Sequence, residues 1–147
     1  VKHLRIYGYE YKGYAKRILS LEDYFRASMD MLDINKWREV FRRDRKIYTK
    51  IKDEAPAKYM ADAKVTNSLV ANGCIIEGTV ENSILFRKVR VGRNAVVRNS
   101  ILMQNTVIGD EAQLDYVLCD KNRSIQPEAR LAGTAEEPLT IVKHEVV

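Results

Sequence analysis

Asn82-Ser83-Ile84-Leu85 and, 17 residues on, Asn99-Ser100-Ile101-Leu102 are two copies of one short pattern. It appears earlier as Asn67-Ser68-Leu69-Val70, and a fourth, degenerate time as Asp115-Tyr116-Val117-Leu118-Cys119. An aliphatic residue precedes each copy, at Val65, Val80, Val97 and Leu114, so the copies stand 15, 17 and 17 residues apart. Another closes each copy, at Ile76, Val91, Ile108 and Ile125, with Gly92 and Gly109 directly after two of them. Within a copy, aliphatics recur about every five or six residues, as at Val97, Leu102, Ile108 and Leu114.

That period is too long for a helix and too regular for a series of hairpins. Three segments of six residues, often shortened by one, suit a coil of a triangular parallel β-helix. Each face is then a short strand and each corner a turn carrying Gly, Asn or Asp. One aliphatic per face points into the prism and stacks on its equivalent in the next coil. Burying each such side chain stabilises by roughly 1.5–3 kcal/mol. A single coil cannot bury its own inner face, so neighbouring coils must stack. Four phased copies argue against an antiparallel sandwich. The 15-residue first interval predicts a tighter or irregular coil there. The recurring Asn67, Asn82 and Asn99 read as turn ladders, because Asn tolerates the left-handed region and bonds neighbouring backbone. Phe86 and Met103, at equivalent places in successive copies, read as stacked neighbours rather than a cofactor site.

Outside the repeats the composition sets limits. At 147 residues the chain holds one domain, or a repeat domain with a small companion. A charged fraction of 31% with 46% hydrophobic residues argues for a folded chain. No apolar run approaches the length of a membrane span, and no signal-peptide pattern occurs, so a cytoplasmic protein with no membrane partner is expected. The strand-like opening reads as the end of something longer. Cys74 and Cys119 sit inside repeats where small apolar residues belong, which predicts buried thiols. No CxxC or Cys/His cluster supports a metal site. The net charge of +5 is local: residues 36–52 carry eight basic side chains against Glu39 and Asp44. With Trp37, Phe41 and Tyr48 as its aromatics, this stripe reads as a solvated helix face, not a nucleic-acid site.

Leu4 to Tyr14 alternates large apolar or aromatic residues with polar ones or Gly, which predicts a strand. Ser20, with Asp23 three residues on, resembles a capping box and starts a helix whose apolar face is Leu21, Phe25, Met29 and Leu32. Asp33 or Asn35 offers a cap for a second helix, on which Ile34, Trp37 and Phe41 share a face. Ile47-Tyr48-Thr49 has strand propensity. Residues 54–59, containing Pro56, read as an extended linker. Leu139 to Lys143 is a final strand candidate, able to cap the open end of the β-helix. The expected division is 1–59, the end of a preceding domain plus helical linker, and 60–147, the β-helix with its terminal strand.

Several of these stretches resemble one enzyme family. Gly13-Tyr14, Ser20-Leu21-Glu22-Asp23-Tyr24-Phe25 and Met29-Asp30-Met31-Leu32 resemble the end of the catalytic domain of bacterial glucose-1-phosphate adenylyltransferases, which make ADP-glucose and diphosphate from ATP and glucose 1-phosphate for glycogen synthesis. Asn67-Ser68-Leu69-Val70, Gly73-Cys74-Ile75-Ile76-Glu77-Gly78 and Asp120-Lys121-Asn122 resemble the family's carboxy-terminal left-handed β-helix. The left hand comes from the family, since ordinary crossover rules favour the right. In catalytic members the turn after Tyr carries an Asp that helps to hold Mg²⁺. Here it reads Tyr14-Ala15-Lys16-Arg17-Ile18-Leu19-Ser20, with Arg17 at the Asp position and Leu19 where Gly is usual. A guanidinium cannot ligate a hard cation. The resemblance is therefore to the non-catalytic, GlgD-type subunit, and it implies no catalytic residue and no cofactor here, with Mg²⁺ only in a catalytic partner. It also implies assembly with that partner or with itself, as a tetramer.

Related enzymes bind phosphorylated effectors between domains, and on that resemblance Lys121 and Lys143 are candidate effector-binding residues, with Arg42, Arg43 and Arg45 weaker ones. Lys offers a point charge and three donors to phosphate oxygens. Two alternatives remain at this stage: a catalytically competent adenylyltransferase, and a hexapeptide-repeat acyltransferase. The second class uses a His between coils as general base, whereas the two histidines here, His3 and His144, lie outside the repeats.

Overall fold

A computed structural model describes residues 4–142. Helix α1 (Leu21–Met29), a 3₁₀ turn (Asp30–Leu32) and helix α2 (Ile34–Val40) precede fifteen short strands, β1 to β15 in chain order. The strands form three parallel five-stranded sheets, the faces of a β-helix. The first face holds β1 (Lys58–Tyr59), β4 (Ile75–Ile76), β7 (Arg90–Val91), β10 (Val107–Ile108) and β13 (Ser124–Ile125). The second holds β2 (Lys64–Thr66), β5 (Thr79–Glu81), β8 (Val96–Arg98), β11 (Gln113–Asp115) and β14 (Arg130–Ala132). The third holds β3 (Leu69–Val70), β6 (Ile84–Leu85), β9 (Ile101–Leu102), β12 (Val117–Cys119) and β15 (Leu139–Ile141).

The repeat aliphatics pair in register. Ile76, Val91, Ile108 and Ile125 form the inner column of the first face. Val80, Val97 and Leu114 line the second, and Leu85, Leu102 and Cys119 the third. All are buried and join one core. Both cysteines are free and buried. Burial pushes the Cys119 thiol up to about 11 and raises that of Cys74, so both behave as small apolar side chains.

The 15-residue interval has a definite location. Ile75 pairs with Arg90 and Lys64 with Thr79, whereas every neighbouring interval on these two faces is 17. The two missing residues come from one corner, Glu77-Gly78, between β4 and β5. The chain there cuts so close to the next coil that a Cβ on Gly78 would collide with the Ala95 carbonyl oxygen and lie 2.7 Å from that of Gly92.

The corner between second and third faces explains the Asn-Ser pair. Asn67, Asn82 and Asn99 have φ of 41°, 45° and 46°. Their amides form a ladder: Asn67 Nδ2 donates to Asn82 Oδ1 (2.7 Å), Asn82 to Asn99 (3.5 Å), and Asn99 to Asp115 Oδ1 (2.8 Å). Tyr116 takes the left-handed position in the fourth copy (φ 51°), so Asp115 supplies the acceptor that a fourth Asn would have given. The serines form a second ladder inside it. The Oγ of Ser68, Ser83 and Ser100 accepts from the backbone N–H of Ser83, Ser100 and Val117 at 3.0–3.1 Å. Each hydroxyl also donates to the carbonyl two residues back. Ser100→Ala would strand the buried Val117 N–H, and chemical denaturation should show a loss of about 1–2 kcal/mol. Ser68→Ala, on the less buried first coil, should lose less.

Expectations about the flanks fare unevenly. Ser20 caps α1 by accepting from Asp23 N–H, but Asp23 returns the bond to Leu19 N–H rather than to the cap residue itself. Asp33 caps α2 through Asn35 N–H. On α1 only Phe25 is buried; it packs with Ile101 and Leu118, the outward residues of β9 and β12, and Tyr24, Met29, Phe86 and Met103 pack around them. Phe86 and Met103 thus flank the helix seat.

The short strand expected at Leu4–Tyr14 does not form: those residues join no described strand, and Ile6 and Tyr9 are each 88% exposed. Alternation makes a segment able to enter a sheet, but a strand needs a partner, and no described strand pairs with these residues. Ile47-Tyr48-Thr49 is likewise unpaired. The linker expected at 54–59 ends as strand, since Lys58-Tyr59 pairs with Ile75-Ile76. The terminal strand continues the third face beside β12 as part of the last coil, rather than lying across its end.

Candidate functional site

Each coil passes from the third face to the first through a two-residue turn. In register these are Asn72-Gly73, Arg87-Lys88, Gln104-Asn105 and Lys121-Asn122. The second residue of each is left-handed, with φ of 78°, 60°, 59° and 58°. Rungs of backbone hydrogen bonds lock the turns together: Lys88 N–H to Asn72 O, Asn105 N–H to Arg87 O, and Asn122 N–H to Gln104 O at 2.8–3.2 Å. Asn105 Nδ2 also donates to Asn122 Oδ1 at 2.8 Å. Lys121 N–H is held by Asp120 Oδ1 at 2.7 Å. The column is therefore rigid in its backbone while its long side chains point outward.

The incoming linker crosses this corner. Ala55 O accepts from Gly73 N–H at 2.6 Å, and Lys58 N–H donates to Cys74 O at 2.8 Å. Between linker and corner lies a cleft of about 340 Å³, lined by Lys52 and Glu54 from the linker and by the last three turns. Four cations, Lys52, Arg87, Lys88 and Lys121, face one carboxylate, Glu54. Amide groups of Gln104, Asn105 and Asn122 complete the wall. A concave site with a cationic excess and several N–H donors suits a small anion, and phosphate above all.

Of the candidate effector residues, Lys121 lines this cleft and is exposed. Lys143 lies outside the described residues. Arg42 is occupied by a bidentate pair with Asp44, Nε to Oδ1 at 2.9 Å and Nη2 to Oδ2 at 2.8 Å. That pairing raises the pKa of Arg42 and lowers that of Asp44. Arg43 and Arg45 are exposed just beyond α2, and none of the three lines the cleft. Lys52, Arg87 and Lys88 escape a linear reading. Writing the chain in rows of 17 would have found two of them, because Arg87-Lys88 falls directly before Gln104-Asn105 and Lys121-Asn122.

The turn that bears Arg17 is pinned at Tyr14. Tyr14 N–H donates to Glu39 Oε2 at 2.6 Å, and Tyr14 OH donates to Asp30 Oδ2 at 2.9 Å. Lys36 and Lys16 also pair with Asp30. Partial burial opposes ionisation of Asp30, but the hydrogen bonds from Lys36 and Tyr14 and the nearby lysine charges outweigh it and hold the carboxyl below its ordinary value. Burial, then the hydrogen bond and charge of Asp30, push Tyr14 up to about 12. Arg17 and Leu19 are exposed. The turn from Tyr14 to Ser20 contains no carboxylate, and its phenol is committed to Asp30, so its side chains do not fit a Mg²⁺ ion, which takes oxygen ligands.

Residues 55–138 match the family model described as GlmU-like, C-terminal hexapeptide. The chain is 49% identical over 140 residues to the glycogen biosynthesis protein GlgD of Bacillus subtilis (strain 168), covering 95% of this chain and 41% of that protein. It is 51% identical over 120 residues to GlgD of Geobacillus stearothermophilus, covering 82% of this chain and 35% of the relative. A glucose-1-phosphate adenylyltransferase of Geobacillus stearothermophilus is 39% identical over 94 residues, 64% of this chain and 24% of that protein. The chain thus spans less than half the length of these curated relatives. With more than half of its residues matched and three in-register parallel faces, it belongs to the GlmU-like C-terminal hexapeptide family.

Proposed function

We propose that this chain is the β-helix portion of a glycogen-biosynthesis subunit of the glucose-1-phosphate adenylyltransferase family, regulatory or structural in role and acting in the cytoplasm with a catalytic subunit. The observation that carries this reading is the similarity to GlgD proteins along nearly the whole chain. The non-catalytic part rests on Arg17, since no side-chain ligand for a metal stands in the turn where catalytic members carry theirs. Among the described residues, no helix is long and apolar enough to cross a membrane. The surface for other parts of such a complex is the segment around the two helices, where Ile18, Leu19 and Ile34 are exposed apolar residues. A tetramer with the catalytic subunit would bury them.

The role of the corner cleft in this reading is to bind a phosphorylated metabolite through Lys121 and its neighbours. The test uses the full-length protein, assayed for ADP-glucose formation alone and with a catalytic subunit. Alone it should form none above background, and with the partner it should alter the activity or its response to phosphorylated effectors. Full activity from this subunit alone would overturn the non-catalytic reading and favour a competent adenylyltransferase. Lys121→Glu should abolish the effector response of the hetero-complex and leave its basal rate within about twofold, because a surface charge reversal on a rigid corner leaves the fold intact. An unchanged activation curve would remove Lys121 from the site. The acyltransferase alternative draws no support from the coils, which contain no histidine.

A further inference from the structure

Glu54 is out of place in two respects. It is the one acid lining a cleft of four cations, and its side chain is only 18% exposed in a linker whose preceding residues, 41–53, are all exposed. Its Oε1 lies 3.1 Å from Lys88 Nζ. Lys88 is half exposed, and its stem is placed by the corner. It occupies the left-handed position of its turn (φ 60°), and its stem lies against Gly73, where even a Cβ would come within 3.1 Å of Lys88 Cγ. The carboxylate therefore sits where the oxygen of a bound phosphate would meet the same ammonium. Directly after Glu54 the backbone is fastened to the β-helix by the Ala55–Gly73 hydrogen bond. Before it, the described hydrogen bonds and ion pairs fasten nothing between Asp44 and Glu54 to the coils. Glu54 is thus a side-chain tether at the point where the fixed backbone ends and the free linker begins.

We infer that Glu54 is an internal competitor for the cleft: its carboxylate occupies the Lys88 subsite, and a phosphate ligand displaces it. This rests on the anion-binding reading of the cleft. An anion must compete with a tethered carboxylate, so its apparent affinity falls by the fraction of molecules in which the tether is closed.

The experiment measures pyrophosphate binding by calorimetry to the protein, to Glu54→Gln and to Asp53→Asn. Asp53 is exposed and outside the cleft lining, so its substitution removes the same charge without removing the tether. Glu54→Gln should bind about fivefold tighter, the scale of a partly buried ion pair, and Asp53→Asn less than about twofold tighter. Equal tightening by both substitutions would overturn the competition. Pyrophosphate affinity unchanged in Glu54→Gln would overturn it too while leaving the anion site standing. No binding by any of the three would overturn the anion site, and the tether with it. Coincident thermal melts of the three proteins establish that each is folded.

Discussion

Leu102→Ala should lower the stability of the β-helix by about 2–5 kcal/mol in chemical denaturation. Leu102 is fully buried and lies mid-column on the third face, between Leu85 and Cys119. Truncation removes buried methyl groups and leaves a cavity, and both terms add. The rigid ladders on either side oppose collapse into the space, because the coil spacing is fixed by backbone hydrogen bonds that would have to shift together. Leu131→Ala provides the comparison. Leu131 occupies an equivalent inner position in the last coil but is only partly buried. Its loss should therefore cost clearly less. Equal losses at both sites would mean that the end coil is as well covered as the middle.

Gly78→Ala should also be damaging, at about 2–3 kcal/mol. The methyl group would strike backbone carbonyl oxygens of the next coil, at Ala95 and Gly92, and backbone in a stacked solenoid cannot swing aside as a long side chain can. Gly8→Ala is the control, because a Cβ there meets nothing within 4 Å. A thermal melt in which both variants match the parent would show that the short corner can relax. Restoring the two absent residues, by an insertion between Glu77 and Gly78, should make Gly78→Ala better tolerated. The reason is that the corners of the following coils at this position turn through a left-handed residue, Asn94, Glu111 or Glu128, which the shortened corner lacks.

These two sites differ in how visible they are in the sequence. Leu102 is marked by its repeat, since aliphatics at a fixed interval have no simpler explanation than a stacked column. Gly78 is marked only by an irregularity, the 15-residue interval. The interval reveals that a coil is short, but only the strand register reveals which corner is short. The doubled aliphatics of each copy held a further signal. In a solenoid strand neighbouring side chains point to opposite faces. Ile101 and Leu102 therefore cannot both enter the core, and the outward residue must be covered by something. Helix α1, through Phe25, is that cover.

The candidate cleft was less legible. Lys121 stood out through its resemblance to a family motif, and the arginines beyond α2 through their crowding. Crowding along the chain is a poor guide, as Arg42 shows: a carboxylate two residues away takes its guanidinium. Lys52 belongs to the same basic stripe, yet it reaches the cleft because Pro56 and the Ala55–Gly73 bond direct the linker across that corner.

The sequence by itself determined the β-helix, its phase and its Asn ladder, because each depends on residue type at a short or regular spacing; the reading of Arg17 came from the family resemblance. Tertiary structure alone decided which corner is short, which face carries the helix, and which cations share a cleft with Glu54. Those are outcomes of stacking, in which residues far apart in the chain become neighbours. Local propensity carries no record of that distance, and the same limit explains Leu4–Tyr14, whose alternation describes a strand while no described strand pairs with it.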